Sequence, residues 1–239
     1  MIGARDGSLL GELIPTHRPV TTDNQCELDL SAHQAPYLSA WDVIGDLEDD
    51  DSPELFVRGK WADLLPSVPE GKNYLYFTER GGGVPLFGWR RRYWNFLLKL
   101  SKDQPSWTLT AQPGPATGPF HWKNRRLSAR ELCRLQTIPD SFEIIGSLNA
   151  VQRQIGNAVP SALAKMLGLV VRLRLLGDAS VNTIAPTLLP NRRESIPPPE
   201  PFTPVPKKYL HLVGDHEAHP GTGKGYGALA RTASGGSKV

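Results

Sequence analysis

The clearest pattern of hydrophobic and polar positions lies at residues 127–139, where leucines recur at helical spacing. Ser128 stands where an N-cap belongs, and Glu131 follows three residues later, which is the spacing of a capping box. Pro139 ends the pattern, because proline cannot continue a helix. The sequence therefore predicts a short, capped amphipathic helix in this segment.

Two further segments, residues 148–155 and 160–176, carry apolar residues at the same helical spacing. Gly156 and Asn157 stand between them and predict a break. Pro160 suits the first position of the second helix, since a backbone N–H would be unsatisfied there in any case. We expect two helices joined by a tight turn.

Two shorter patterns precede these helices. Residues 39–47 have apolar positions at helical spacing, with Ser39 as a candidate cap and Asp42 in the first turn. Residues 106–110 alternate between polar and apolar side chains and are rich in strand-forming types. We expect a short helix at the first position and a strand at the second.

Residues 178–239 differ in composition from everything before them. Nine prolines fall between residues 186 and 220, and six glycines follow after residue 220. Such a segment buries too little apolar surface to offset the entropy of ordering the chain. The composition predicts a disordered tail.

The formal net charge of +3 conceals two segments of opposite sign. Residues 23–54 contain ten acidic and no basic residues, whereas residues 80–130 contain ten basic residues and one acidic residue. The basic segment also holds four of the six tryptophans. Cations for phosphates and planar groups for bases are what a nucleic-acid surface needs. The alternative interpretation is a solvated basic face above a tryptophan core.

Two cysteines and six histidines limit the chemistry of the chain. Two cysteines cannot form a disulfide framework or a four-ligand zinc site, and the histidines show no metal-ligand spacing. We therefore expect no metal and a reducing compartment, the cytoplasm. There is no run of 18 apolar residues, and Met1–Asp6 lacks the pattern of a signal peptide, so we expect no membrane partner.

Three segments resemble parts of one known family. Residues 126–142 (RLSARELCRLQTIPDSF) resemble the ninth motif of DNA (cytosine-5) methyltransferases, and residues 152–160 (QRQIGNAVP) resemble the tenth. The order and spacing of the two motifs also fit this family. Residues 1–5 (MIGAR) are similar to the closing strand of its eighth motif. The resemblance thus covers residues 1–177.

The resemblance implies a partial α/β methyltransferase fold, which would be α+β as an isolated chain. Residues 1–19 would form the closing strand and loop of the catalytic domain, and residues 20–124 a small, mostly β target-recognition domain. Residues 125–177 would be the helical C-terminal part of the catalytic domain, and residues 178–239 the disordered tail. Double-stranded DNA is the partner that this architecture implies.

Several elements of the family's chemistry are missing from the sequence. The family's nucleophile is a cysteine between proline and glutamine, yet Cys26 follows Gln25 and Cys133 follows Leu132. The family's Glu-Asn-Val motif and its glycine-rich cofactor loop are absent as well. We therefore predict no catalytic residue in this chain, and methyl transfer only together with an N-terminal half or subunit. A non-catalytic DNA-binding remnant is the alternative interpretation.

Binding roles for individual residues also come from the resemblance. Asn157 and Ala158 would contact the amino-acid portion of S-adenosylmethionine, and a purely structural turn is the alternative. Residues 107–122 resemble a recognition loop of the family. The DNA-binding candidates are basic or polar side chains able to reach phosphates or base edges: Arg90, Arg91, Arg92, Gln112 and Thr117.

Four other residues are expected to be structural. Cys133 falls inside the predicted capped helix and is interpreted as a small core residue. His121 is interpreted as a surface or packing residue. Arg126 and Arg130 flank the start of the capped helix, and we expect them to hold the recognition domain against the catalytic domain.

Overall fold

The structure, a computed structural model, describes residues 15–18, 35–88, 94–181, 188–193 and 195–214. Four α-helices occur in these ranges: α1 (Ala40–Ile44), α2 (Ala129–Leu135), α3 (Leu148–Asn157) and α4 (Ser161–Arg174). Two short strands, β1 (His17–Arg18) and β2 (Ala35–Pro36), pair in parallel. Five 3-10 helices complete these elements: Gly45–Leu47, Pro53–Leu55, Ala62–Ser67, Tyr74–Phe77 and Lys207–Leu212. Mixed helices and a small parallel sheet fit a partial α/β fold.

The helix α2 begins at the capping box that the sequence predicts, and α1 begins in the same way. The Ser128 hydroxyl accepts from the Glu131 N–H at 3.3 Å, and the Glu131 carboxylate accepts from the Ser128 N–H at 2.8 Å. Ser39 and Asp42 exchange the equivalent bonds at 3.2 and 2.8 Å. All four residues are buried, so each box satisfies backbone donors that water cannot reach.

The helices α3 and α4 occupy the two segments whose spacing predicted them. The Ser147 hydroxyl caps α3 by accepting from the Ala150 N–H at 3.4 Å. Pro160 lies at the cap position of α4, one residue before the position that we expected for it. The predicted break at Gly156 is also displaced, since α3 continues through this glycine and ends at Asn157.

The described part of the recognition segment, residues 20–124, consists mainly of turns and 3-10 helices, and not of the mostly β structure that we expected. Apart from β2, its bridges are isolated ones that pair Phe96 with Thr117 and Lys99 with Phe120. Residues 106–110, predicted as a strand, form no regular element. The seven prolines between residues 66 and 119 explain this, because proline donates no hydrogen bond to a strand ladder.

Two clusters of buried side chains form the interior. The first joins α1, α2 and α3 to the recognition segment around the fully buried Trp122 and Ile155. The second lies within the recognition segment around Phe77 and also includes Tyr209. The first consists of Ala40, Ile44, Leu55, Leu100, Leu109, Trp122, Leu127, Leu132, Cys133, Leu148, Val151 and Ile155. The second consists of Leu64, Leu65, Val68, Phe77, Leu86, Leu97, Phe120 and Tyr209.

A buried ion pair connects the end of the recognition segment to α2. The fully buried Glu131 carboxylate accepts two hydrogen bonds of 2.8 Å from the Arg125 guanidinium. The same guanidinium donates to the carbonyls of Leu47 and Glu48 at 3.1 and 3.3 Å, and only its Nε lacks a partner among the described residues. A buried pair is stable when its other donors and acceptors are also satisfied. Arg125 thus links three parts of the chain.

Part of the tail that we expected to be disordered lies against the recognition segment. We call residues 188–193 and 195–214 the C-terminal strap. Its Tyr209 is buried and stacks on Trp61, with ring centroids 5.5 Å apart. The Tyr209 hydroxyl donates to the Lys60 carbonyl at 2.6 Å. The expectation of disorder is wrong for the strap.

Polar contacts hold the strap as well. Lys102 Nζ lies 2.8 Å from the Glu200 carboxylate, and the Glu200 N–H donates to the Glu70 carboxylate at 2.7 Å. The Arg193 N–H donates to the Asp42 carboxylate at 2.9 Å. Proline fixes φ in the unfolded chain too, so a proline-rich strap loses less entropy when it is ordered. The rest of the tail, residues 182–187, 194 and 215–239, lies outside the described residues.

Among the described residues, one segment, Leu148–Arg174, has the length and apolar composition of a membrane span. It consists of α3 and α4, with 10 and 14 residues, and residues 158–160 separate them. A helix needs about 20 apolar residues to cross a bilayer, so neither helix suffices by itself. The segment is weak evidence for a membrane, and the expected absence of a membrane partner stays a prediction.

Replacing Ser128 tests the capping box of α2. Ser128→Ala should lower the free energy of unfolding by about 0.5–2 kcal/mol, because the buried Glu131 N–H loses its acceptor. Urea unfolding of the full chain measures the change. Ser141→Ala, at an exposed position outside the helices, is the control and should change the value by less than about 0.5 kcal/mol. Equal effects of the two changes would contradict the capping assignment.

Replacing Tyr209 tests the docking of the strap. Tyr209→Ala should lower the free energy of unfolding by about 3–5 kcal/mol, because it removes a ring from the second cluster. Tyr209→Phe keeps the ring and should cost about 0.5–1.5 kcal/mol through the lost hydrogen bond to Lys60. Leu210→Ala, at the exposed neighbouring position, is the control. If Tyr209→Ala and Leu210→Ala unfold at the same urea concentration, the strap is undocked in solution.

Candidate functional site

The predicted cofactor residues lie on the turn between α3 and α4. Asn157 ends α3, and Ala158 is extended, with its N–H donating to the Ile155 carbonyl at 3.0 Å. The side chains of Asn157, Ala158 and Val159 are exposed. The turn thus offers an amide side chain and accessible backbone to a polar ligand. This fits the amino-acid portion of S-adenosylmethionine, the group that the sequence resemblance assigns to it.

The recognition segment lies directly against this turn. A side chain at Gly156 would place its Cβ 2.5 Å from the Ala111 nitrogen and 2.7 Å from the Thr110 carbonyl carbon, which is closer than real Cβ atoms come. One turn earlier in α3, the Gln152 amide donates to the Thr110 carbonyl at 3.5 Å. Gly156 therefore permits close backbone approach, a role that sequence reasoning missed. The available signal was a glycine inside an otherwise helical pattern.

The two uncharged DNA-binding candidates differ in their exposure to solvent. Gln112 is exposed, and its N–H donates to the Thr110 hydroxyl at 3.2 Å. Thr117 is half-buried and lines a small crevice together with Arg126 and Gln152. Gln112 is therefore more accessible to a base edge than Thr117 is.

Three of the predicted DNA-binding residues are arginines at consecutive positions. Arg90, Arg91 and Arg92 lie outside the described residues. Their role therefore stays a prediction from the sequence.

Arg126 and Arg130 make contacts within the chain. Arg126 donates to the Asn149 side chain of α3 at 2.7 Å. Arg130 donates to the Asp140 carbonyl at 2.8 Å and lies 3.6 Å from the Asp140 carboxylate. Among the described residues, both side chains therefore make their hydrogen bonds within residues 125–177, and not to the recognition domain as we expected.

Three cations of the basic segment, Lys99, Lys102 and Arg125, are buried. The Lys99 ammonium donates to the Asn124 side chain at 2.6 Å, and burial lowers the pKa of Lys99 to about 8. Lys102 pairs with Glu200 of the strap. These three side chains therefore neutralise and hydrogen-bond interior groups and are not available to phosphates. The remaining basic residues must provide any DNA-binding surface.

The tryptophans of the basic segment divide between core and surface. Trp122 is fully buried and packs against Trp41, with ring centroids 5.9 Å apart. Trp94 and Trp107 are 46% and 41% exposed and contact each other edge to face at 5.2 Å. Trp89 lies outside the described residues. The described segment thus has one core tryptophan and an exposed aromatic pair.

His121 is a packing residue and is neutral near pH 7. Its Nδ1 accepts from the Lys123 N–H at 3.1 Å, which places the ring proton on Nε2. Nε2 lies 3.3 Å from the Glu131 carboxylate without the alignment of a hydrogen bond. Burial, helped by the nearby Arg125 charge, lowers the pKa of His121 to about 2. The ring therefore does not titrate in the physiological range.

Cys133 lies in the first cluster, and burial raises the pKa of its thiol. The protonated thiol is a poor nucleophile, in keeping with a small core residue. Cys26 lies outside the described residues. Over the described ranges, no three His, Cys, Asp or Glu side chains are grouped in a way that could hold a metal ion.

Comparison with known proteins gives a family for part of the chain. Residues 79–171 match the family model of the C-5 cytosine-specific DNA methylases. The matched range includes Gln112, Thr117, α2, α3 and most of α4. Both the turn at Asn157 and the Thr110–Ala111 backbone beside it therefore lie inside the match.

Curated relatives show the same likeness. The Type II methyltransferase M.SacI of Streptomyces achromogenes is 41% identical over 180 residues, which cover 70% of this chain and 45% of the relative. M.BbvI of Brevibacillus brevis is 33% identical over 56% of this chain and 37% of its own length, and M.NgoFVII of Neisseria gonorrhoeae is 34% identical over 52% and 33%. This chain spans less than half the length of these relatives. Over residues 79–171 it is similar to the C-5 cytosine-specific DNA methylases, the family that its ninth and tenth motifs resemble.

Proposed function

We propose that this chain supplies DNA recognition and one wall of the S-adenosylmethionine site of a cytosine-5 DNA methyltransferase. The observation that carries the proposal is the family match at residues 79–171, which includes the exposed turn at Asn157 and Ala158. The names of the relatives, Type II methyltransferases, favour a cytoplasmic enzyme of DNA restriction-modification. Methyl transfer to C5 of cytosine requires a catalytic part outside these 239 residues.

The exposed apolar side chains around α4 support the need for such a part. Val159, Leu163 and Leu176 are 60%, 50% and 72% exposed, and Leu173 also reaches solvent. Large apolar side chains exposed along and beside one helix favour a surface that another protein segment covers. Since M.SacI extends well beyond the part that this chain matches, the catalytic N-terminal half or subunit is the occupant that we assign to α4.

The cofactor wall would act by binding and orienting. S-adenosylmethionine, when bound, supplies a methyl group on a positively charged sulfur. The Asn157 amide and the backbone at Ala158 would bind its amino-acid portion, and the Thr110–Ala111 backbone behind Gly156 would keep this wall in place. The reaction also needs a thiolate that attacks cytosine. The buried, protonated Cys133 does not supply one, and Cys26 does not follow a proline as the family's nucleophile does, so we assign the nucleophile to the partner.

The recognition segment, proposed at residues 20–124, would bind double-stranded DNA through its exposed loops. The exposed Gln112 carries both a donor and an acceptor, which suits contact with a base edge. Thr117 is the second uncharged candidate, and Arg90, Arg91 and Arg92 remain the proposed phosphate or guanine contacts. The proposed recognition domain now includes the C-terminal strap, because Tyr209 belongs to its core cluster.

A DNA-binding protein without a catalytic partner is the second candidate function. The absence of a Pro-Cys pair and of a Glu-Asn-Val sequence favours it. A neighbouring upstream gene that encodes both motifs would support the methyltransferase, whereas an upstream nonsense codon or frameshift would support the remnant.

Reconstitution tests the proposed activity. The purified chain should transfer no labelled methyl group from S-adenosylmethionine to DNA, because it contains no competent thiol. Co-expression with the upstream half should restore transfer to genomic DNA. Cys133→Ser and Cys26→Ser should leave the restored activity intact, since neither thiol is the proposed nucleophile. If the isolated chain transfers methyl groups and still does so after both substitutions, the assignment of the nucleophile to the partner is wrong. If the assembled pair transfers none, the DNA-binding protein without a catalytic partner is favoured.

Binding measurements test the recognition residues. Alanine at Arg90, Arg91 or Arg92 should weaken binding to all sequences alike for a phosphate contact, and should reduce the salt slope by about one unit per lost contact. Gln112→Ala should instead relax preference at one base pair and cost about 1–3 kcal/mol there. The test is a salt series on the assembled enzyme with matched and mismatched DNA. If the triple arginine variant binds DNA as tightly as the parent at low and moderate salt, the arginines form a solvated face.

A further inference from the structure

The C-terminal end of α2 has the hydrogen bonds of a Schellman motif. The Thr137 N–H donates to the Arg134 carbonyl, and the Ile138 N–H donates to the Cys133 carbonyl, both at 2.9 Å. Thr137 therefore occupies the position after the C-cap, where the backbone turns into the left-handed region. Its φ is +54°, as the motif requires.

Threonine is a costly residue at this position. Glycine is the usual choice there because it has no Cβ to clash, and asparagine is the next most common. A β-branched residue at positive φ is a conformational outlier, and such strain persists where the surroundings compensate for it. The position of the Thr137 side chain shows what the compensation is.

The Thr137 hydroxyl caps another helix. It accepts from the Ala162 N–H, in the first turn of α4, at 2.8 Å. Pro160, the cap residue of α4, has no side chain that can do this, and the structure gives it no side-chain cap bond. Since the first N–H groups of a helix lack partners within it, Thr137 satisfies a donor that α4 itself leaves unsatisfied.

Gln136, the neighbour of Thr137, makes two further contacts of this kind. Its carbonyl accepts from the Ser161 N–H at 3.0 Å, and its side-chain amide donates to the Ile155 carbonyl at 3.2 Å. We call the contacts of Gln136 and Thr137 to α3 and α4 the clamp. The end of α2 therefore grips α3 just before the turn and α4 just after it. Between these contacts lie Asn157 and Ala158, whose side chains stay exposed.

We propose that Thr137 is a positioning residue for the cofactor wall. Its hydroxyl fixes the start of α4 and thereby the orientation of the turn at Asn157 and Ala158. This inference rests on the proposed function of that turn. It also explains why a strained threonine stands where glycine would fit better: glycine would relieve the backbone but would leave the Ala162 N–H without its cap.

Three substitutions separate the hydroxyl from the strain. Thr137→Ser keeps the hydroxyl, Thr137→Val keeps the branched shape without it, and Thr137→Gly removes both the hydroxyl and the strain. A hydroxyl role predicts that the valine and glycine variants behave alike and that the serine variant behaves like the parent. A role in shape or stability alone predicts instead that the glycine variant equals or surpasses the parent.

The first measurement is amide hydrogen exchange on the full chain, which needs no activity. The Ala162 amide should exchange about threefold to tenfold faster in Thr137→Val and Thr137→Gly, because its acceptor is lost. Thr137→Ser should stay within about twofold of the parent. The Ala150 amide, capped by Ser147 in α3, is the internal control and should not change. Unchanged exchange at Ala162 in the valine and glycine variants would overturn the clamp.

The second measurement is the dissociation constant of S-adenosylmethionine in the enzyme assembled with its upstream half. It should rise about threefold to tenfold in Thr137→Val and Thr137→Gly, the range of one net hydrogen bond, and kcat at saturating cofactor should change less. Thr137→Ser should restore the affinity. Faster exchange at Ala162 with unchanged cofactor affinity would overturn the positioning role. If the assembled parent binds no cofactor, the proposed function fails, and the exchange rates still decide whether Thr137 holds the turn.

Discussion

The structure depends on one buried carboxylate. Glu131 accepts two hydrogen bonds from Arg125 and one from the Ser128 N–H, and it is fully buried. A carboxylate in that position is stable only while every partner stays in place. Arg125 also donates to the carbonyls of Leu47 and Glu48. The Glu131–Arg125 pair therefore fixes the start of α2, the end of the recognition segment and the loop after α1.

The same requirement explains where part of the basic charge lies. An acidic segment and a basic segment follow each other in the sequence, and several of their members form ion pairs with residues outside both segments. Arg125 and Lys102 neutralise buried carboxylates, and Arg134 binds Asp46 at 2.7 Å. Several of the basic side chains therefore stabilise the fold, and any DNA-binding surface must be formed by exposed groups such as Gln112.

The recognition segment and the proposed cofactor wall meet at one turn. The Thr110–Ala111 backbone touches it at Gly156 from one side, and the Gln136–Thr137 end of α2 grips it from the other. Rigid contacts of this kind leave little freedom between the recognition loop and the proposed cofactor wall. A displacement of this loop would therefore be transmitted directly to the residues of the proposed cofactor wall.

The sequence by itself determined the features that depend on neighbours within one or two turns. The capping box at Ser128 and the spacing of α3 and α4 depend on such local contacts. Only the tertiary structure decided that Lys102 faces inward, since its partner Glu200 lies 98 residues away. The docking of the strap could not be predicted for the same reason. Composition describes a segment as a whole and does not show that one residue, Tyr209, stacks on Trp61 far away in the sequence.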